Sequence, residues 1–341
     1  MALIQGLAAH AAGAELLPLR YDPGKLGAHE VEIAITHCGV CYSDLHLIAN
    51  DWGISHYPFI PGHEIVGTVS VIGAEVRTLK AGQRVGLGWQ SNSCGECEWC
   101  ISGQENLCLN SEGTCVHRHG GYADHVRANA RFVFPIPDAL ASENAAPLLS
   151  AGITVYNPMR IQGVNPSSRV GIAGVGGLGH LAIQFARVFG AQVTAFSTTA
   201  AKEAEARALG AHHFVNSRES KAMKEVAGSL DFILTTVNAD QDWGAYLQAL
   251  RPNGTLWFVG DPPSPVSIHP FPLISGLRTI GGSPIGSPFR VREMLDVAAR
   301  HGVKATTECF PMEKANEAIE KVKKGKVRFR AVLANQNNGP A

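Results

Sequence analysis

The 341-residue sequence leans to neither sign of charge: 29 lysines and arginines stand against 29 aspartates and glutamates. That balance gives no electrostatic footing for a nucleic acid or an anionic membrane as partner. Long hydrophobic runs are missing too. Arg, Asp or Pro breaks each apolar stretch before the roughly 18 residues a membrane helix needs. Met1–Leu17 lacks the basic start of a secretory leader and is interrupted by His10 and Glu15. A reducing, cytoplasmic setting is therefore expected, in which the eight cysteines bind metal or stay free. No internal repeat or low-complexity tract is present, and the polar tail Asn335–Ala341 is expected to fray.

What the sequence does hold is a C-x2-C-x2-C-x7-C array at Cys94, Cys97, Cys100 and Cys108. Two-residue gaps let successive sulfurs turn back toward one ion, and the longer gap lets a loop close the fourth corner. Four thiolates satisfy a tetrahedral Zn2+ and leave no place for water, which marks a structural site.

The chain is long enough for two domains. Its first part reads as β-rich: Val31, Ile33 and Ile35 alternate with polar or small neighbours, and short apolar runs follow at Ile65–Ile72 and Arg84–Leu87. From Arg169 strands and helices alternate. Val170–Ala173, Val193–Phe196, Asp231–Leu234 and Thr255–Val259 read as strands, Ala200–Leu209 and Trp243–Leu250 as helices. This predicts an α/β fold with a doubly wound parallel sheet. Two amphipathic helices, Arg290–Arg300 and Glu313–Lys323, and a last strand Arg328–Leu333 complete the chain. The expected boundaries are 1–150, 151–287 and 288–341, the final segment returning to the first domain.

Gly174, Gly176, Gly177, Leu178 and Gly179 form a GxGGxG loop after a strand and before a helix, where backbone N–H groups can cradle a pyrophosphate. About twenty residues on, an acid would read the adenine ribose hydroxyls. Instead the chain carries Ser197, Thr198, Thr199 and then Lys202. Hydroxyls plus one cation favour a 2′-phosphate, so NADP(H) is expected.

Cys41 and His63 offer a thiolate and an imidazole suited to zinc, with Asp44 placed to orient the His63 ring. Ser43 and His46 are placed to pass a proton between a metal-bound oxygen and bulk water. On spacing alone, a buried cysteine and a satisfied core histidine are an equal reading. His212 and His213 fit a helix C-terminal end, and His117 and His119 fit loop positions without a metal role. Cys38, Cys115 and Cys309 have no partners at ligand spacing and read as buried thiols.

Cys41–His46, Asn50–Gly53, Pro61–Glu64, the four-cysteine lobe and the glycine loop together resemble the zinc-dependent medium-chain dehydrogenase/reductase family. Tyr21–Gly24, Gly86–Trp89, Asp231–Asn238 and Ser283–Ser287 are similar to its cinnamyl-alcohol-dehydrogenase branch, especially to bacterial NADPH-dependent aldehyde reductases. The resemblance runs almost end to end. It implies a GroES-like catalytic domain carrying the zinc lobe at about 90–110, a Rossmann domain, and a homodimer joined through the Rossmann sheets. It implies reversible reduction of aldehydes to primary alcohols by NADPH on a catalytic zinc, the oxygen taking its proton through Ser43, the cofactor ribose and His46. Thr235, Val259, Ser283 and Ile285 would lie near the nicotinamide across the interdomain cleft. Trp52, Trp89 and Ile285 would wall an apolar pocket for aromatic or medium aliphatic aldehydes; core filling is an equal reading for each tryptophan.

Two departures stand out. The third catalytic-zinc ligand of the family is a cysteine, and here it is Ser150. A hydroxyl is a poorer ligand than a thiolate, so the ion is expected to be less tightly held. Related polyol dehydrogenases use Cys, His and Glu, so Glu64 is a candidate replacement. Where many relatives carry His or Arg after the first ligand cysteine, this chain has Tyr42, which offers a hydrogen bond but no charge. Competing readings are a zinc-free reductase of the quinone-reductase type and a cofactor-binding protein without catalysis.

Overall fold

The structure, a computed structural model, describes residues 3–335; most of the tail expected to fray lies outside the described residues. By packing the chain divides into two units, Met1–Ala151 with Gly286–Ala341, and Gly152–Ile285.

The first unit is built on a seven-stranded sheet. Its order is Thr307–Pro311, Arg330–Ala334, Glu30–Val40, Ile65–Ile72, Arg84–Leu87 and Val133–Pro135, with His125–Asn129 also paired to Glu30–Val40. All pairs are antiparallel except the first two strands. The strand read at Val31–Ile35 extends over eleven residues, Glu30–Val40; alternation holds as far as Ile35, placing Val31, Ile33 and Ile35 in the core, and gives way to continuous burial at Cys38–Val40. Register shifts near Glu32 and Ile35 bend this strand against Ile65–Ile72. Its last residues therefore run directly into Cys41 and the helix Tyr42–Ala49.

The second unit holds six parallel strands in the order His213–Asn216, Gln192–Ser197, Arg169–Ala173, Leu230–Thr235, Leu250–Phe258 and Thr279–Gly282. In chain order this is 3-2-1-4-5-6, the doubly wound arrangement whose switch point lies beside the first strand. Buried Val170, Ile172, Ile233, Leu234 and Leu256 explain why the strands read as continuous apolar runs.

Several elements differ from expectation. The helix read at Ala200–Leu209 begins as a 3-10 turn, Ala200–Lys202, before the α-helix Glu203–Ala208. The strand His213–Asn216 went unread because paired histidines masked a short edge strand. His212 does not serve a helix end: its Nδ1 accepts the Val193 N–H at 2.9 Å, and its Nε2 lies 2.8 Å from Arg187 Nη1. Cys38 and Cys115 are buried as read, but Cys309 is exposed.

Candidate active site

Cys41 joins the Glu30–Val40 strand to the Tyr42–Ala49 helix, and Asp44 fixes that junction. The Asp44 Oδ2 accepts the Cys41 N–H at 2.9 Å, satisfying a donor that a helix start leaves orphaned. The same carboxylate accepts three further hydrogen bonds: from His63 Nδ1 at 2.9 Å, the Gly62 N–H at 3.1 Å and the Tyr122 hydroxyl at 3.1 Å. Burial alone would raise the Asp44 carboxyl. The His63 charge and these bonds outweigh burial and hold it below its usual range.

With Nδ1 committed to Asp44, His63 is left with Nε2, a buried nitrogen that has no hydrogen-bond partner. One donor atom each from Cys41, His63 and Glu64 lie within 4.8 Å of one another, all three residues being buried. Burial pushes the His63 imidazole down, but Asp44 and the neighbouring thiols raise it well above its ordinary range. At Cys41 burial opposes ionisation, and the His63 imidazole beside it reverses the sign, lowering the thiol. A thiolate beside an imidazole nitrogen is a centre in which a metal ion can take the place of a proton. The donor set fits zinc.

Glu64 lies over Gly39, where an added Cβ would come within 2.0 Å of the Glu64 Oε2; only glycine leaves room for that carboxylate. Its Oε1 pairs with the buried Arg330 guanidinium, while Oε2 has no hydrogen-bond partner. Burial raises the Glu64 carboxyl, and Arg330 offsets this only in part. Ser150 is also buried, within a five-residue π-helical segment, Leu148–Gly152, a distortion frequent at functional sites. Cys115, read as a thiol without partners, packs within 4.8 Å of Asp44 and His63, which spacing could not reveal.

Ser43 Oγ lies 3.6 Å from Cys41 Sγ. His46 Nδ1 is 2.7 Å from Asp51 Oδ2, and its ring is flanked by Tyr42 and Trp52, each with centroids at 5.2 Å. Trp89 and His63 meet nearly at right angles with ring centroids 4.9 Å apart, and Trp89 meets Trp52 at 6.2 Å. Trp52 is 39% exposed, so it is not core filling. Sequence reasoning did not mark Asp51 or Arg330 as site residues. The signals were an acid just past the helix that carries His46, and a charge opening an otherwise apolar last strand.

The four lobe sulfurs also lie within 4.8 Å of one another. Cys94 is 3.9 Å from Cys100 and 3.5 Å from Cys108, close to the about 3.8 Å edge of a tetrahedron with zinc–sulfur bonds near 2.3 Å. Among the described residues His117 and His119 join no such cluster; the His119 Nδ1 accepts the Ile60 N–H at 3.3 Å, and its ring packs on Tyr21.

In the second unit Gly174 turns the chain at φ +94°, and Gly179 approaches so closely that a Cβ there would lie 1.8 Å from the Gly174 carbonyl oxygen. This close crossing opens a cleft of about 260 Å³ against the strand ends. Gly174, Gly176, Ser197, Thr198, Thr199 and Lys202 line it, and no acidic residue does. Ser197 Oγ accepts the Thr199 N–H at 3.1 Å, and the Lys202 ammonium donates to the Val175 carbonyl. Gly177 and Leu178 lead into the Gly179–Val188 helix rather than lining the cleft; Ser217, Thr236 and Tyr246 line it and were not foreseen. Thr235, Val259 and Ser283 collect at neighbouring strand ends, the Val259 N–H donating to the Thr235 carbonyl at 3.1 Å. Ile285, whose carbonyl accepts from Asn157 at 3.4 Å, belongs to this unit and not to that of Trp52 and Trp89.

Comparison with known proteins gives these sites a family. The profile of the alcohol dehydrogenase GroES-like domain matches residues 27–138, and that of the zinc-binding dehydrogenases matches 177–300. An aldehyde reductase, AdhA, of Synechocystis sp. is 45% identical, covering 98% of this chain and 100% of its own length. A probable cinnamyl alcohol dehydrogenase of Oryza sativa subsp. japonica is 42% identical over 96% of this chain and 92% of its own. Among solved structures, a cinnamyl alcohol dehydrogenase of Sorghum bicolor superposes with a TM-score of 0.94 at 38% identity, covering 98% of each chain. The enzyme CAD of Helicobacter pylori, complexed with NADP(H), gives 0.91 at 32% identity over 99% of each. No helix among the described residues is long and apolar enough to cross a membrane. Matched by relatives over nearly its whole length, the chain belongs to the zinc-dependent medium-chain dehydrogenase/reductase family and is an alcohol dehydrogenase-type oxidoreductase.

Proposed function

We propose that this oxidoreductase reduces aldehydes to primary alcohols, reversibly, taking hydride from NADPH and one proton from solvent. The observation that carries the reading is the buried His63 Nε2, unpartnered and within 4.8 Å of Cys41 and Glu64 donor atoms. Cys41 and His63 would hold the catalytic zinc, with Glu64 or Ser150 as further ligands, and Cys94, Cys97, Cys100 and Cys108 a structural one. Zinc so bound supplies a Lewis acid for the carbonyl oxygen. Asp44 holds the His63 ring in the tautomer that presents Nε2. Ser43 and His46 would carry the proton inward from solvent during reduction and outward during alcohol oxidation, and Asp51, 2.7 Å from His46, holds its ring in place. Trp52 and Trp89 offer an apolar wall to aromatic or medium aliphatic aldehydes.

NADP(H) is supported by the cleft's lack of acids, its hydroxyls and Lys202, and by the bound cofactor of the Helicobacter pylori relative. A homodimer through the Thr279–Gly282 edge strand is supported by exposed Phe271, Ile274 and Leu277 beside it. A cytoplasmic location accords with a four-thiol zinc site.

Elemental analysis for zinc, paired with NADPH oxidation on an aromatic aldehyde, tests the reading. Two zincs per chain with turnover support it. One zinc without turnover favours the second reading, a cofactor-binding relative without catalytic metal, for which the replacement of a thiolate by Ser150 is the specific observation.

A further inference from the structure

We propose that Arg218 is a phosphate-reading residue of the cofactor cleft, its guanidinium closing on the 2′-phosphate of the adenine ribose beside Ser197–Thr199 and Lys202. This deepens the NADP(H) reading above and rests on it.

Strand register brings Arg218 to the place. Ser197 at the end of Gln192–Ser197 pairs with Asn216, and the Ser217 N–H donates to the Ser197 carbonyl at 3.0 Å. Arg218 thus leaves the sheet directly after Ser217, a residue that lines the cleft, though Arg218 does not itself line it. The turn is pinned: the Arg218 N–H donates to Asn216 Oδ1 at 3.2 Å and the Glu219 N–H to the Asn216 carbonyl at 3.0 Å. Asn216 Nδ2 donates to Glu219 Oε1 at 2.6 Å, which occupies the adjacent carboxylate. Arg218 itself is exposed, and its guanidinium makes no hydrogen bond, ion pair or ring contact.

The wall just before it points to a ligand independently. Ser217 lines the cleft, and its Oγ is buried without a hydrogen-bond partner. Lys202 brings one positive charge to a phosphate that carries nearly two negative ones, and one of its three donors is already given to the Val175 carbonyl. A planar guanidinium supplies two parallel donors that match phosphate oxygens, which a single ammonium does not.

Cofactor-binding titrations on the purified protein test this, using NADPH, NADH, 2′,5′-ADP and 5′-AMP with wild type, Arg218→Ala, Arg218→Lys and Lys202→Ala. Arg218→Ala is expected to weaken NADPH and 2′,5′-ADP about tenfold, the scale of a charged hydrogen bond, and to leave NADH and 5′-AMP within about twofold. Arg218→Lys should recover part of the loss. Wild type preferring NADPH while Arg218→Ala keeps the same NADPH-to-NADH ratio would overturn the proposal and spare the NADP(H) reading, as would a preference abolished by Lys202→Ala alone. Wild type without a preference would overturn both.

Discussion

The four thiols of the lobe and the mixed donors at Cys41, His63 and Glu64 lie in one unit but are held by different means. The lobe draws its sulfurs from one loop, and Cys94 and Cys97 are only half-buried. Backbone N–H groups of Glu96 and Cys97 pull Cys94 down to about 6, and no cationic side chain is among the causes. The other centre is fully buried and already charge-compensated, through Asp44 beneath His63 and Arg330 beside Glu64. On the proposed reading, the lobe would depend on a metal for its shape, whereas the buried centre would keep its shape by ion pairs and use a metal for chemistry.

The contrast is tested most strongly at Arg330. Its replacement in Arg330→Leu should lower unfolding stability by about 3–5 kcal/mol, because Glu64 is left buried without a counter-charge. The double variant with Glu64→Leu should recover most of that loss in urea titrations; equal losses would deny the pair its structural part. Cys108→Ser should remove one zinc per chain and lower the melting temperature by about 3 °C, the shift that roughly 2 kcal/mol produces in a protein of this size. An unchanged zinc count would erase the distinction drawn between the two centres. At Asp44, the isosteric Asp44→Asn should weaken zinc binding at the buried centre by about 10–100-fold, read by competition with a chelator, while the lobe keeps its ion. Ser150→Cys should slow zinc release from that centre by about tenfold, ~1.4 kcal/mol.

The smallest effect concerns an outer pair on the same sheet. His125 Nδ1 lies 3.3 Å from Asp124 Oδ1. This hydrogen bond raises the imidazole despite burial, while at Asp124 burial is outweighed by the bonds from His125 and the Gln5 N–H, lowering the carboxyl. A raised histidine stabilises below its unfolded value and loses that contribution as pH rises through its folded value. A lowered carboxyl loses its contribution as pH falls through its own folded value. The pair should thus add about 0.5 kcal/mol in mildly acidic solution, fading toward alkaline and strongly acid pH. His125→Asn should flatten that part of the pH–stability curve.

What the sequence discloses follows the same division. Cys94–Cys108 and Gly174–Gly179 are legible because each is local: spacing alone dictates which atoms can meet. Cys41 and His63 are ambiguous by spacing, since the strand Ile65–Ile72 must first pair with Glu30–Val40 to bring them together. Arg330 is 266 residues from Glu64, and no periodicity links them. Asp51 lay inside a recognised run, but its contact with His46 depends on the left-handed turn at Asn50 that ends the helix. Cys309 differs from expectation because Thr307–Pro311 forms an edge strand, where one face meets solvent.

The long strand Glu30–Val40 has a kinetic consequence. Gly39, two residues before Cys41, pairs with Val332, and its N–H donates to the Glu64 carbonyl at 2.9 Å, so the centre is sewn into three strands in the middle of the sheet. Freeing any one donor by backbone motion means tearing that sheet, so amide deuteration at residues 38–41 should wait for global unfolding. The lobe hangs on the two-stranded ribbon Gln90–Asn92 with Glu112–Gly113, which can part while the rest stays folded. Demetallation should accordingly be biphasic: one ion leaves on the timescale of loop breathing, the other on that of ligand substitution at a motionless backbone.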